Sequence, residues 1–170
     1  MAKPICVALP YPQLSSKTFD NFSASVISSA YASAHSELNA ILQYTYHSFN
    51  FYSQEDQTTN EIIQGIAVCE MKHLEILGHT LCDLGVDPVM TALPPYKFNY
   101  FNSFSVQYST LPQKMLMDDI SGEMVAINEY RKMLNKLLNE EVAAIISRII
   151  LDEELHVKVL KARLEEICSR

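Results

Sequence analysis

Four stretches of the chain repeat apolar residues at intervals of three and four, the spacing of one helix face. The first runs from about Asp20 to Phe51, with Ala30, Ala34, Glu37, Ile41, Tyr44 and Phe51 on a common stripe. The second, about 56–84, repeats Ile63, Ile66, Ala67, Glu70, His73, Leu74, Leu77 and Leu81. The third, about 112–138, carries Leu116, Asp119, Ile120, Glu123, Ala126, Ile127, Tyr130 and Leu134. The fourth, about 140–168, carries Ile146, Ile149, Ile150, Glu153, His156, Val157, Leu160 and Leu164. Punctuation residues agree with these limits: Gly85 and Pro88 end the second segment, Pro112 suits a first helical turn, and Asn139 is a candidate N-cap.

Between them, "VDPVMTALPPYKFNYFNSFSVQYST" has no helical period. A structureless loop of that length is unusual in a compact domain unless it returns the chain along a bundle. Residues 86–111 therefore read as a crossover whose aromatics (Tyr96, Phe98, Tyr100, Phe101, Phe104) lie down on the helices. The short links make helices one and two, and three and four, antiparallel pairs. The expected fold is all-α: a four-helix bundle with one long crossover, in a single domain spanning 1–170.

Composition narrows the partners. With 48% hydrophobic and 19% charged residues the chain can build a core, and its net charge of −7 argues against a nucleic-acid partner. No run reaches the length of a membrane span, and the proline-broken start "MAKPICVALPYPQL" is not an export signal. Cys6, Cys69, Cys82 and Cys168 form no C-x-x-C pair, which excludes a self-contained rubredoxin-type site. They read as free thiols in a reducing cytoplasm.

The chemistry lies in polar residues on the faces that should be buried. In "CEMKHLEIL" (69–77), Glu70 and His73 are three positions apart, about 300° of rotation and ~4.5 Å of rise, so they stack on one face. "LDEELHVKVL" (151–160) repeats this with Glu153 and His156, while Glu37 and Glu123 sit on the inward stripes of their own helices. An isolated buried charge costs several kcal/mol, and crowded acids repel one another. Two divalent cations would neutralise four carboxylates and two neutral imidazoles. A lone Glu-x-x-His is a weak signal. Two of them, each with an inward glutamate upstream, form a repeated frame: "ELNAILQY" echoes "EMVAINEY", and "EMKHLEIL" echoes "EELHVKVL".

With "ELNAILQYTYH", "EMKHLEIL", "KMLMDDISGEM" and "LDEELH", the chain resembles the ferritin-like di-metal carboxylate proteins over about 20–168. It is most similar to rubrerythrins, bacterioferritins and the smaller relatives of manganese catalases. The resemblance implies metal ligands at Glu37, Glu70, His73, Glu123, Glu153 and His156, with Glu70 and Glu153 bridging and Glu37 and Glu123 terminal. The chain departs from rubrerythrins in lacking a rubredoxin domain and in placing Ala126 where they carry an extra glutamate. Fourteen residues follow His156, too few for the short fifth helix of ferritin cages, so a homodimer is expected. "EMKH" is similar to the bacterioferritin segment whose Met binds haem, so Met71 is either that or a packing residue.

Other candidates carry two readings each. Tyr44 and Tyr130 follow a ligand glutamate by seven positions and either hydrogen-bond a ligand, carry a radical or fill the core. Asp119 either holds a ligand histidine by its second nitrogen or is an exposed acid. His35, His47 and His79 read as surface or hydrogen-bonded residues, and Cys69 points about 100° away from Glu70. Carboxylate and imidazole without thiolate suit two iron or two manganese ions. The expected activity is an oxidoreductase on hydrogen peroxide or dioxygen, catalase-like or, with an external electron donor, peroxidase-like. A ferroxidase for iron handling and a structural metal protein are the alternatives.

Overall fold

The computed structural model describes residues 2–169. Five α-helices carry the chain: α1 (Asn21–Ala32), α2 (Glu37–Ser53), α3 (Gln57–Asp83), α4 (Pro112–Leu134) and α5 (Glu140–Cys168). The bundle proper is α2–α5, with α2 packed chiefly on α3 and α4 chiefly on α5. The expected fold is present, and among the described residues no helix is long and apolar enough to cross a membrane.

The first helix expected from the sequence is two helices. The break falls at "SAHS" (33–36), where Ser33 and Ser36 take extended backbone and serine side chains replace the helical ladder. Ser36 Oγ donates to Ser33 O at 2.7 Å and accepts from Asn39 N at 3.4 Å, while His35 N donates to Ser33 Oγ. Serine competes for backbone bonds in this way, and so caps better than it continues. Ala34, expected on the stripe, is exposed in that turn. As a result Glu37 sits at the start of α2, where free N–H groups and the helix dipole favour a carboxylate.

The other boundaries follow the punctuation. Asp56 caps α3, accepting from Thr59 N at 3.0 Å and from the buried Arg163 guanidinium of α5 at 2.9 Å. Gly85 adopts φ +83°, allowing Gly85 N to reach Cys82 O and Val86 N to reach Leu81 O, the paired bonds of a Schellman ending. Pro112 opens α4, and Asn139 accepts from Glu141 N and Val142 N at the start of α5. Helix α4 stops at Leu134, short of the expected 138, because residues 135–139 form the turn.

The crossover 86–111 differs from expectation. Tyr96, Phe98, Tyr100 and Phe104 face outward, Phe104 at 96% exposure, and only Phe101 is partly covered. The segment is held by backbone and polar contacts instead. Gln107 N donates to Gln43 Oε1, His47 Nε2 donates to Gln107 O, and Tyr31 Oη donates to Pro88 O, all at 3.0 Å.

Two apolar clusters fill the bundle. Ile27, Leu77, Leu81, Leu84, Ile145, Ile146 and Ile149 pack one end; Phe51, Ile63, Ile66, Met115, Leu116 and Leu160 pack the other. Along α3, α4 and α5 the residues between these clusters are the acidic and imidazole positions.

The N-terminal residues form an extended strap over α3 and α5, which the proline-broken sequence did not reveal. Ile5 N donates to Gly65 O at 3.0 Å, Arg148 Nη2 donates to Val7 O at 2.7 Å and Leu9 O at 3.0 Å, and Thr18 N donates to Asp83 O. Cys6 of the strap is disulfide-bonded to Cys69 of α3, with Cα atoms 5.9 Å apart, so the expectation of four free thiols fails for this pair. Scattered spacing in sequence does not report distance once an extended segment folds back. Cys82 and Cys168 are free and exposed.

Gly65 has no side chain because the strap lies on it: a Cβ there would stand 2.8 Å from Lys3 O and 2.9 Å from Ile5 Cγ1. Gly65→Ala is expected to cost about 1–3 kcal/mol by overpacking and to raise protease cleavage within residues 3–9. Denaturant unfolding and limited proteolysis check it, and an unchanged N-terminal cleavage rate would show that the strap is not seated there.

Candidate metal centre

All six residues singled out from the sequence meet in one buried layer. Glu37 comes from the first turn of α2, Glu70 and His73 from mid-α3, Glu123 from mid-α4, and Glu153 and His156 from mid-α5. Each is at most 4% exposed. They fall into two overlapping groups, Glu37–Glu70–His73–Glu153 and Glu70–Glu123–Glu153–His156, whose donor atoms lie within 4.8 Å of one another.

The oxygens are shared evenly. His73 Nδ1 lies 3.1 Å from Glu153 Oε1, 3.5 Å from Glu70 Oε2 and 3.6 Å from Glu37 Oε2. His156 Nδ1 lies 2.9 Å from Glu70 Oε1, 3.3 Å from Glu153 Oε2 and 3.4 Å from Glu123 Oε1. Glu70 and Glu153 thus turn one oxygen to each imidazole.

The far sides of the imidazoles fix which nitrogen faces inward. His156 Nε2 is 2.8 Å from Ile5 O, and a carbonyl can only accept, so Nε2 carries the hydrogen. His73 Nε2 donates to Asp152 Oδ2 at 3.0 Å. A neutral imidazole so held aims the bare lone pair of Nδ1 at the centre. Glu70 Oε1, both oxygens of Glu153, and Nδ1 of both histidines are buried without a hydrogen-bond partner, despite their short separations. Buried polar atoms are almost always satisfied, so lone pairs facing lone pairs mark a place suited to cations. The donor set fits a pair of divalent ions.

With protons in place of cations, the cluster divides its charge. Burial first, and then Glu70, push Glu37 well above the usual carboxylate range; burial and Glu153 do the same for Glu123. Burial opposes ionisation of Glu70, yet the facing Glu37 carboxyl and the His156 and His73 imidazoles, once they carry protons, hold it well below that range. Both imidazoles are raised: burial works against their charge and the surrounding acids outweigh it.

The tyrosines cross between hairpins. Tyr44, in the helix of Glu37, donates to Glu123, and Tyr130, in the helix of Glu123, donates to Glu37. The reading of Asp119 as the support of a ligand histidine is not met. Asp119 is buried, but it lies 2.8 Å from His47 Nδ1 and accepts from Gln43 Nε2 at 2.8 Å. The supporting acid is Asp152, which sequence reasoning missed. It also accepts from Val7 N and Tyr11 Oη at 2.6 Å each and pairs with Arg148 at 2.8 Å. Against burial, bonds from His73, Tyr11 and Arg148 keep its carboxyl far below the ordinary range, while burial and that same acid push the Tyr11 phenol up to about 12. The available signal was the i, i+4 pair Arg148–Asp152 on a face turned from Glu153. Met71 is 49% exposed, on neither a packed face nor the centre, and His35 and His79 are exposed.

A cavity of about 550 Å³ reaches the centre from the α2–α4 side. Glu37, Glu70, Glu123, Glu153, Tyr44 and Tyr130 line its floor, and Ala126 lines its wall. The opposite side, behind the histidines, is closed by the strap.

The family described as "Ferritin-like domain" matches residues 32–168. No curated protein sequence matches the chain. Among solved structures, KatB, a manganese catalase from Anabaena PCC7120, superposes with a TM-score of 0.78 at 19% identity, covering 97% of this chain and 78% of that one. A bacterioferritin of Rhodobacter capsulatus, described with a metal-free dinuclear site and haem iron, gives 0.73 at 22% identity over 87% and 86%. Mycobacterium tuberculosis bacterioferritin BfrA gives 0.71 at 19% identity over 89% of each chain.

Cations entering this centre must displace the protons that Glu37, Glu123 and the histidines hold. Affinity for Mn²⁺, measured from about pH 7.5 down to 5.5, is therefore expected to fall as the pH is lowered, with protons released on binding. Isothermal titration in buffers of different ionisation enthalpy measures both, and an affinity flat across that range would contradict the assignment of these protons.

Proposed function

The chain belongs to the ferritin-like family, and we propose that it is an oxidoreductase whose six-residue centre holds two iron or two manganese ions and acts on hydrogen peroxide or dioxygen. The observation that carries this reading is the even sharing of Glu70 and Glu153 oxygens between two imidazoles whose bare nitrogens face them. Glu70 and Glu153 would help hold both ions, with Glu37 and His73 on one and Glu123 and His156 on the other.

Carboxylate and imidazole donors without thiolate suit metals that change oxidation state. Bound as a pair, such ions supply one electron each to the two-electron cleavage of an O–O bond. The protein's own residues do the rest. Ile5 O and Asp152 hold the histidine rings in one tautomer. Tyr44 and Tyr130 fix the carboxyls of Glu123 and Glu37 and keep a hydroxyl proton beside each. The cavity admits a molecule the size of peroxide from the α2–α4 side, and Ala126 leaves space where a longer acid would intrude. A second reading, ferroxidase-coupled iron handling, is favoured by the carboxylates of Glu129 and Asp118 along the same cavity, an acidic route for Fe²⁺.

Metal analysis of protein from its native host, with peroxide assays run with and without an external reductant, tests the proposal. Peroxide loss with oxygen release and no reductant identifies the catalase type; dependence on a donor identifies the peroxidase type. Rapid Fe²⁺ oxidation by a hollow-shell assembly without peroxide turnover would overturn both in favour of iron handling. Glu153→Ala is expected to lose both ions, and His156→Ala one ion together with all peroxide consumption. Wild-type turnover in either variant would defeat the ligand assignment. Asp152→Asn, which keeps a hydrogen-bond partner for His73 but removes its charge, is expected to weaken metal affinity by about 10–100-fold, read by competition with a chelator.

A further inference from the structure

We propose that Cys6 and Cys69 are a redox-active pair that cycles between dithiol and disulfide and supplies the electrons for peroxide reduction at the centre. The inference rests on the peroxide reading above and names the immediate reductant. Cys69 Sγ is buried and lies 3.7 Å from His73 Nε2, on the imidazole whose Nδ1 faces Glu37, Glu70 and Glu153. One imidazole ring therefore separates the sulfur from the Nδ1 that faces the three acids. Cys6, its partner, is only partly covered, so it is the more exposed residue of the pair and the side from which a thiol in solution would approach.

A purely mechanical role explains this placement poorly. The strap is already seated by Ile5 N on Gly65 O, Val7 N and Tyr11 Oη on Asp152, His156 Nε2 on Ile5 O and Arg148 on two strap carbonyls. In the folded chain a disulfide here is one more tie on a segment already held on both sides of Cys6, and whatever stability it adds acts through the unfolded chain. It does place a two-electron donor against one histidine. Cys69 is also 3.9 Å from Tyr11 Oη, which is bonded to Asp152, so the sulfur borders the polar network that holds that ring.

The step balances. Each thiol loses one hydrogen, as a proton and an electron, and the S–S bond forms. The peroxide O–O bond breaks, takes up the two electrons and two protons, and leaves as two waters. Regeneration uses an external dithiol. Its thiolate attacks Cys6 Sγ, Cys69 leaves as the thiolate, and the donor's second thiol resolves the mixed disulfide, releasing the reduced pair and an oxidised donor.

The test uses full-length protein carrying Cys82→Ser and Cys168→Ser, which removes the two exposed thiols. The protein is reduced with a dithiol, freed of it anaerobically and divided into manganese-loaded, iron-loaded and metal-free portions. One equivalent of hydrogen peroxide is added, and thiols are trapped by alkylation under denaturing conditions for intact-mass measurement. Conversion of both thiols to the disulfide, at least about tenfold faster in a loaded portion than in the metal-free one, supports the proposal. Cys6→Ser, with metal content measured alongside, is expected to keep its ions but to consume peroxide at least about tenfold more slowly at the same external dithiol concentration. Peroxide consumed by loaded protein while Cys6 and Cys69 stay reduced overturns this inference and leaves the peroxide reading standing. Equal oxidation rates with and without metal overturn the coupling. No peroxide consumption by any loaded portion overturns the peroxide reading itself.

Discussion

Glu70 and His73 of α3 and Glu153 and His156 of α5 point unsatisfied lone pairs at one another inside an apolar core, with Glu37 and Glu123 completing the layer from α2 and α4, and the rest of the fold follows from tolerating that. Transferring each ionised group from water costs several kcal/mol, and mutual repulsion adds to it. Apolar clusters above and below the layer exclude water from its two ends and hold the helices at a fixed spacing, which leaves the α2–α4 cavity as the open side. Tyr44 and Tyr130 pin two carboxyls from across the hairpin boundary, and Asp152 and Ile5 O pin the two rings. Each support fixes a donor without supplying the missing positive charge. The support is thus built around the lone pairs and leaves them free.

How much of this was legible depends on range. Helices α3 and α5 were read to within a residue, because Asp56, Gly85 and Asn139 act locally and the apolar period is long. The six central residues were legible because the two halves repeat the same frame, so chance agreement had to happen twice. The break before Glu37 was not, since Ala30 and Ala34 continue the period while serines at 33 and 36 end the helix. The aromatics of the crossover were misjudged for a different reason: apolar character says a residue can be buried, not that a helix face is available to cover it. Asp152 and the Cys6–Cys69 pair were hidden because both depend on the strap. An extended segment without period gives no sign of what it will cross.

That strap breaks the symmetry of the two hairpins. Viewed from the cavity, the halves are equivalent: a glutamate, a crossing tyrosine and a shared pair of acids on each side. Viewed from behind, they are not. His156 leans on a neutral carbonyl, whereas His73 leans on an ionised carboxylate that itself accepts from Tyr11, Val7 and Arg148. A negative charge behind an imidazole makes its other nitrogen a stronger donor, so a cation beside His73 would be held more electron-rich than its neighbour beside His156. The disulfide touches the same side, through Cys69 and His73. Small molecules can approach the centre through the α2–α4 cavity, while covalent and hydrogen-bonded control comes from the strap on the opposite face. Access and support are therefore assigned to different faces of the bundle, and a change in the strap would alter the surroundings of His73 without obstructing the cavity.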